Sequence, residues 1–272
     1  MNLGGDLRVY AIQYALRDGV APAEVFHHAT AADTERSMAY YVWLIAGSRG
    51  AVLVDTGFDR AIAKRRGREQ VLRGDPLDAL AALGAPAADL DEIILTHLHF
   101  DHCGGLDRFP NALVRLQRRE MEFWTGPAAS RPSFRRVVEP EDVTGVVVRN
   151  LDGRVLWSDG DETLAPGVSV HRVGGHTAGL QVVRVETGRG VVVLASDASH
   201  YEDNLTQDRP YSAVDSVSGA HAAFDRLRAL AGPDGHIIPG HDPAVMARYP
   251  DAAAGLEGVA VELTGGPVRA DR

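Results

Sequence analysis

The sequence predicts a mixed α/β fold in which two βα layers face each other, an αβ/βα sandwich. Three observations predict it. Runs rich in β-formers alternate with helical runs along the 272 residues. Two of the β segments are hairpins closed by glycine turns, Gly47-Ser48-Arg49-Gly50 and Thr187-Gly188-Arg189-Gly190. Each hairpin leads to an aspartate at a strand end, Asp55 and then Asp197, so the two halves of the chain echo each other. There is no GxGxxG, so the alternation is not that of a dinucleotide-binding unit.

Taken in order, Leu7 to Tyr14 reads as an opening strand. Tyr40 to Ala46 and Ala51 to Asp55 form the first hairpin. Residues 59–84 are expected to be helical, with Leu77, Leu80 and Leu83 on one face and Gly84 as the stop. Ile93 to Thr96 and Ala112 to Leu116 read as strands, and Arg118 to Trp124 as a helix. Residues 126–142 carry Pro127, Pro132 and Pro140 and read as an irregular lid or linker. Strands are expected to resume at Val143 to Val148 and Val155 to Trp157, so the whole chain, 1–272, is read as one domain. Ser169 to Val173 is a strand, Gln181 to Val185 and Val191 to Leu194 are the second hairpin, and Val217 to Ala231 is a helix. A strand at His236 to Ile238, another at Gly258 to Leu263 and a frayed tail at 265–272 complete the reading.

Composition narrows the function. With 45% hydrophobic residues the chain can bury a substantial core. Its formal charge of -9 opposes nucleic-acid binding, which needs a basic footprint. The basic run Lys64-Arg65-Arg66-Gly67-Arg68 reads as a solvated helix face. The single cysteine, Cys103, excludes an internal disulfide, and its expected role is a small buried filler. No apolar run reaches the roughly 18 residues of a membrane span, and no signal peptide is evident. A cytoplasmic protein is the expectation. A homodimer burying part of residues 1–40 is compatible with the sequence.

The chemistry concentrates in Thr96-His97-Leu98-His99-Phe100-Asp101-His102, which follows an apolar strand and precedes Gly104-Gly105. In extended chain, residues two apart point to one side, so His97 and His99 can share an ion. A turn into helix at Asp101 swings Asp101 and His102 to a second position. Asp55, His176, Asp197 and His241 also stand just past expected strands, where α/β folds collect functional groups. Imidazole and carboxylate suit zinc and comparable divalent ions. His27, His28, His171, His221 and His236 have no such support.

His97-Leu98-His99-Phe100-Asp101-His102 resembles the HxHxDH motif of the metallo-β-lactamase superfamily. Asp55-Thr56-Gly57, Gly175-His176-Thr177, Ser196-Asp197 and Pro239-Gly240-His241-Asp242 resemble its other motifs, in order, over roughly residues 40–245. The resemblance implies a four-layer sandwich holding two divalent metal ions, zinc above others. One takes His97, His99 and His176, the other takes Asp101, His102 and His241, and Asp197 bridges them. Asp55 is implied as a partner that orients ligand imidazoles.

Within the superfamily the motifs are most similar to the N-acyl homoserine lactonase group, through His-Phe-Asp-His-Cys-Gly-Gly, residues 54–59 and Ser196-Asp197-Ala198-Ser199. That implies a quorum-quenching hydrolase of a lactone or small ester, with a small, neutral, partly apolar substrate. The reaction expected is attack of an activated water on an ester carbonyl. One departure stands out. The group has a tyrosine three residues after the bridging aspartate, and here that position is His200, followed by Tyr201. Either is a candidate for contact with the substrate or leaving group, and Asp101 is a second candidate for holding the water. Met38, Tyr41, Phe100, Phe123, Trp124, Phe134, Tyr201 and Tyr211 are candidate pocket residues, of which a minority is expected to touch substrate.

Competing readings differ at identifiable positions. A glyoxalase II-like thioesterase would share all seven ligands and differ in its pocket. Asp197 stands where one major β-lactamase class has cysteine, and His99 where flavin-linked diiron proteins have an acid. A nuclease would want basic clamps. A non-enzymatic binding module would be expected to have lost ligands, and all seven are present.

Overall fold

The computed structural model describes residues 1–267. Two sheets carry the fold. The first is built from β1 (Arg8–Val20), β2 (Arg36–Ala46), β3 (Ala51–Val54), β5 (Glu92–Ile94), β6 (Leu113–Gln117), β7 (Val155–Ser158) and β13 (Ala260–Glu262). Its seven strands lie in the order β13-β1-β2-β3-β5-β6-β7. The second is built from β8 (Glu162–Ala165), β9 (Val168–Arg172), β10 (Gln181–Thr187), β11 (Gly190–Ser196) and β12 (His236–Pro239). Its five strands lie in the order β12-β11-β10-β9-β8. The two-residue β4 (Gly57–Phe58) bridges to Cys103 and Gly104.

Side-chain alternation assigns the layers. Along β2, Ala39, Tyr41, Trp43 and Ile45 enter one apolar cluster with Val183, Val185, Val192 and Leu194 of the second sheet. Met38, Tyr40, Val42 and Leu44 enter another, with Leu80 and Val146 of the flanking helices and with Phe109. Successive strand residues face opposite ways, so both faces of this sheet are covered. On the second sheet Val182, Val193 and Ala195 pack against Ala223, Phe224 and Leu227 of the helix Val217–Ala231. Helices therefore lie outside and sheets inside, the four layers the sequence implied.

Both hairpins form, β2 with β3 and β10 with β11. The helices Arg118–Trp124 and Val217–Ala231 have the expected bounds. The first strand is longer than expected and continues past two irregularities to Val20. The expected helix at 59–84 is broken into Arg60–Arg65, a 3-10 turn at Glu69–Val71 and Pro76–Ala82. Gly67 at φ +62° turns the chain out of the first piece.

One element has the opposite secondary structure. Val143 to Val148, expected as a strand, lies inside the helix Pro140–Leu151. Pro140 opens the first turn, and Glu141 and Asp142 suit its positive end. Val146 and Arg149, three apart, are the buried face, while Val148 and Leu151 are exposed. The run of valines suggested a strand, but one-sided burial against the sheet selects the helix. Short helical pieces also occupy 127–135, and Val137 accepts the Phe100 N–H at 3.0 Å, so this stretch packs on the metal-ligand motif.

The strand ends deliver the chemistry to one place. β3, β5 and β6 run parallel, as do β11 and β12. The carboxyl ends of β3, β5, β11 and β12 lead into Asp55, His97, Asp197 and His241. Gln181 ties the sheets there, its N–H bonding the Thr96 carbonyl and its side chain that of Leu95.

Candidate metal centre

The seven residues expected as ligands converge. One group is His97, His99, His176 and Asp197, and a second is Asp101, His102 and His241. In the first group His176 Nε2 lies 2.9 Å from His99 Nδ1. Asp197 Oδ2 lies 3.1 Å from His176 Nε2 and 3.7 Å from His97 Nε2. In the second, Asp197 Oδ1 is 3.0 Å from both His102 Nε2 and His241 Nε2, and Asp101 is 4.0 Å from His241 Nε2. Asp197 thus faces one group with each oxygen.

These separations fit ions. Ligands about 2.0–2.1 Å from a tetrahedral zinc stand roughly 3.3–3.4 Å apart. Among the described residues the buried atoms His97 Nε2, His102 Nε2 and Asp197 Oδ1 are left without a hydrogen-bond partner. Buried polar atoms are otherwise almost always paired. Crowded nitrogens and oxygens, several of them left without a partner, are what a pair of cations between them would satisfy. The donor set, imidazole with carboxylate, suits zinc and its neighbours.

The surroundings orient the rings. Asp55 Oδ1 accepts the Thr96 N–H at 2.7 Å, and Oδ2 accepts the Thr96 hydroxyl at 2.8 Å. Oδ2 also lies 2.7 Å from His102 Nδ1. The Thr96 hydroxyl lies 3.0 Å from His97 Nδ1 and 2.9 Å from the Ser196 hydroxyl. His241 Nδ1 is 2.7 Å from the Ala39 carbonyl. Asp55 and Ser196 hold φ of +61° and +46°, left-handed backbone that non-glycine residues rarely adopt. Gly240 must be glycine, since a Cβ there would come within 2.6 Å of the Ser196 carbonyl.

Electrostatics agree with the geometry. Burial, with neighbouring imidazoles, holds His97 and His99 well below the usual histidine range, so their nitrogens are neutral donors. Burial acts to raise Asp197, but His200, His102, His241 and His176 outweigh it and keep the carboxyl ionised. Burial is the largest influence on His102 and His241 and lowers both. Asp197, together with Asp55 for His102 and Asp101 for His241, outweighs it, so both are shifted upward.

The two candidates for substrate contact, His200 and Tyr201, fall differently. His200 lies in the site, 2% exposed, with Nε2 3.0 Å from Asp197 Oδ2. Burial pushes it down to about 3, so it is a neutral imidazole. Its ring stacks on Tyr211 at 3.4 Å and 5°. Tyr201 has its ring against Arg36 and its hydroxyl buried without a partner. It joins the apolar core rather than the ligand cluster, because the chain turns into the helix Glu202–Thr206 at this residue.

Other expectations sort as follows. Cys103 is buried, and burial pushes its thiol up, as befits a filler. Tyr41 belongs to the core between the sheets. Trp124 packs edge-on against His99 at 5.6 Å, and Phe123 contacts both Trp124 and Phe134, forming an aromatic wall. Arg66 and Arg68 do not form a solvated face. Arg66 pairs with Glu139 at 2.6 Å and lies over Phe100 at 3.7 Å, and Arg68 bonds the Tyr40 hydroxyl. Among the described residues, His27, His28, His171, His221 and His236 are absent from every metal-type cluster. Sequence reasoning missed Tyr211 as the partner of His200, and it missed Thr96, Ser196 and Glu120. Only Thr96 and Ser196 carried a signal, each preceding a residue expected as a ligand.

The sequence profile of the Metallo-beta-lactamase superfamily matches residues 37–242. The chain belongs to this superfamily. Within it, an N-acyl homoserine lactonase of a Bacillus species is 30% identical over 216 residues, covering 74% of this chain and 80% of that one. A lactonase of Agrobacterium fabrum is 29% identical over 189 residues, covering 65% and 67%. An N-acyl homoserine lactone hydrolase, solved with N-hexanoyl-L-homoserine at its catalytic metal center, superposes with a TM-score of 0.73. It is 24% identical and covers 89% of this chain and 96% of its own, a likeness that shows the shared superfamily fold.

Proposed function

We propose that this superfamily member is a dinuclear metallo-hydrolase that opens the ring of N-acyl homoserine lactones, with two zinc ions. The observation that carries the reading is the convergence of six ligand-type residues around a seventh, the buried Asp197. The 30% identity to a lactonase over 74% of the chain supports the substrate class.

His97, His99 and His176 would hold one ion and Asp101, His102 and His241 the other, with Asp197 between them. When bound, such a pair activates water at neutral pH and polarises a carbonyl oxygen. The protein's own residues do the rest. Asp55 and the Ala39 carbonyl fix the rings of His102 and His241 through their Nδ1 atoms. Asp101 stands at the edge of the centre and is partly exposed. His200 presents a neutral imidazole beside Asp197, with no hydrogen-bond partner for its buried Nδ1 among the described residues. With Nε2 donating to Asp197, that nitrogen carries the lone pair and would accept from a substrate N–H or hydroxyl. Phe123, Trp124 and Phe134 offer an apolar wall beside His99, suited to an acyl chain.

The test is metal analysis with a substrate panel of lactones of varied acyl chain, aryl esters and thioesters. The expected result is about two ions per chain and lactone opening that a chelator abolishes and zinc restores. A metal-free protein that cannot be reconstituted would end the hydrolase reading. Thioester cleavage without lactone opening would move it to glyoxalase II-like chemistry.

A further inference from the structure

Two buried carboxylates stand behind the ligands. Asp55 serves the half built on His102. The other, Glu120, lies on the helix Arg118–Trp124 and belongs to no motif.

Glu120 is fully buried, and each of its oxygens accepts two hydrogen bonds. Oε1 accepts the Leu98 N–H at 3.0 Å and the Trp124 indole N–H at 2.7 Å. Oε2 accepts the Thr177 hydroxyl at 2.6 Å and the Gly179 N–H at 3.0 Å. Among the described residues no cation pairs with it. A buried carboxylate is expensive to keep unless every acceptor is used, and here every one is used.

The donors identify what is held. Leu98 is the residue between His97 and His99. Thr177 follows His176, and Trp124 packs on the ring of His99. Among the described residues His176 Nδ1 is buried with no hydrogen bond of its own, so that ring has no support through its outer nitrogen. The close approach is built in, since a Cβ on Gly179 would come within 2.1 Å of the Glu120 nitrogen. The other half has separate supports, Asp55 on His102 and the Ala39 carbonyl on His241.

We infer that Glu120 is the positioning residue for the three-histidine half of the metal centre, joining the loop of His97 and His99 to that of His176. The inference rests on the metal reading above.

The test is a cobalt(II) titration of metal-free protein, followed by visible absorption and by chelator competition. Wild type should take two equivalents. In Glu120→Gln an amide NH₂ replaces an acceptor between two donors. One equivalent should bind about 10–100-fold more weakly while the other is unchanged. Asp55→Asn should weaken the opposite equivalent. Thr177→Val, which removes one donor and leaves the carboxylate, should repeat the selectivity with a smaller loss. It carries the test if Glu120→Gln does not fold without metal. Unchanged affinity at both positions, or equal weakening of both, overturns the inference. A wild-type protein that takes up no cobalt overturns the metal reading itself.

Discussion

Asp55→Asn exchanges one oxygen for an NH₂ and nothing else, yet no orientation of the amide suits its site. In wild type Oδ1 takes the Thr96 N–H and Oδ2 faces His102 Nδ1 at 2.7 Å. A carboxylate there places the proton on Nδ1 and leaves Nε2 free to face Asp197. If the amide nitrogen faces His102, Nδ1 must accept, and the proton moves to Nε2, where it blocks ligation. If the amide is flipped, its NH₂ meets the Thr96 N–H, donor against donor. A buried donor left unsatisfied costs about 1–3 kcal/mol. Loss of a partner behind a metal ligand costs about 10–100-fold in affinity, or about 1.4–2.7 kcal/mol. Chelator competition on both proteins measures the affinity, and thermal denaturation of the metal-free forms measures the stability. The expected outcome is weaker binding of one equivalent and a lower Tm. Wild-type affinity in the Asp55→Asn variant would refute the assignment of Asp55 and the proton placement derived from it.

Three further outcomes are expected. His200→Phe should keep the stack on Tyr211 and both metal equivalents, but lower kcat/KM for lactone opening by about tenfold, near 1.4 kcal/mol. An unchanged rate would remove His200 from the reaction. Tyr201→Phe deletes a hydroxyl that is buried without a partner. It should leave kcat/KM unchanged and hold or raise Tm, and a fall in rate would return Tyr201 to the site. Asp142 is pushed up to about 7 by burial and by Glu139 and Glu141. Its native pKa exceeds the unfolded one, so its penalty on stability grows as pH rises from about 4 to 7 and is constant above. Asp142→Asn should therefore raise stability by about 1–3 kcal/mol at pH 8 after discounting for solvent screening. The gain should fade as pH drops toward 4, and a gain independent of pH would contradict the buried-carboxyl account.

The sequence by itself determined the fold class, both hairpins and the seven ligand-type residues. Strand alternation, glycine turns and motif spacing are local properties, legible without knowing what packs on what. The same local reading made a strand of Val143 to Val148, because propensity favours β for valine runs while the sheet offered contact to only one helical face. It also favoured Tyr201 and His200 alike. Adjacent residues leave a turn in different directions, and only the tertiary structure put one ring beside Asp197 and the other in the core. Glu120 and the stack of Tyr211 on His200 were invisible for a related reason. Glu120 meets Leu98 and Thr177 across 22 and 57 residues of chain. Contacts so distant leave no periodicity to read, and they exist only once two sheets have packed and brought their strand ends together. HxHxDH announces a metal centre, but the carboxylates and rings that hold it in shape are set by the packing around it.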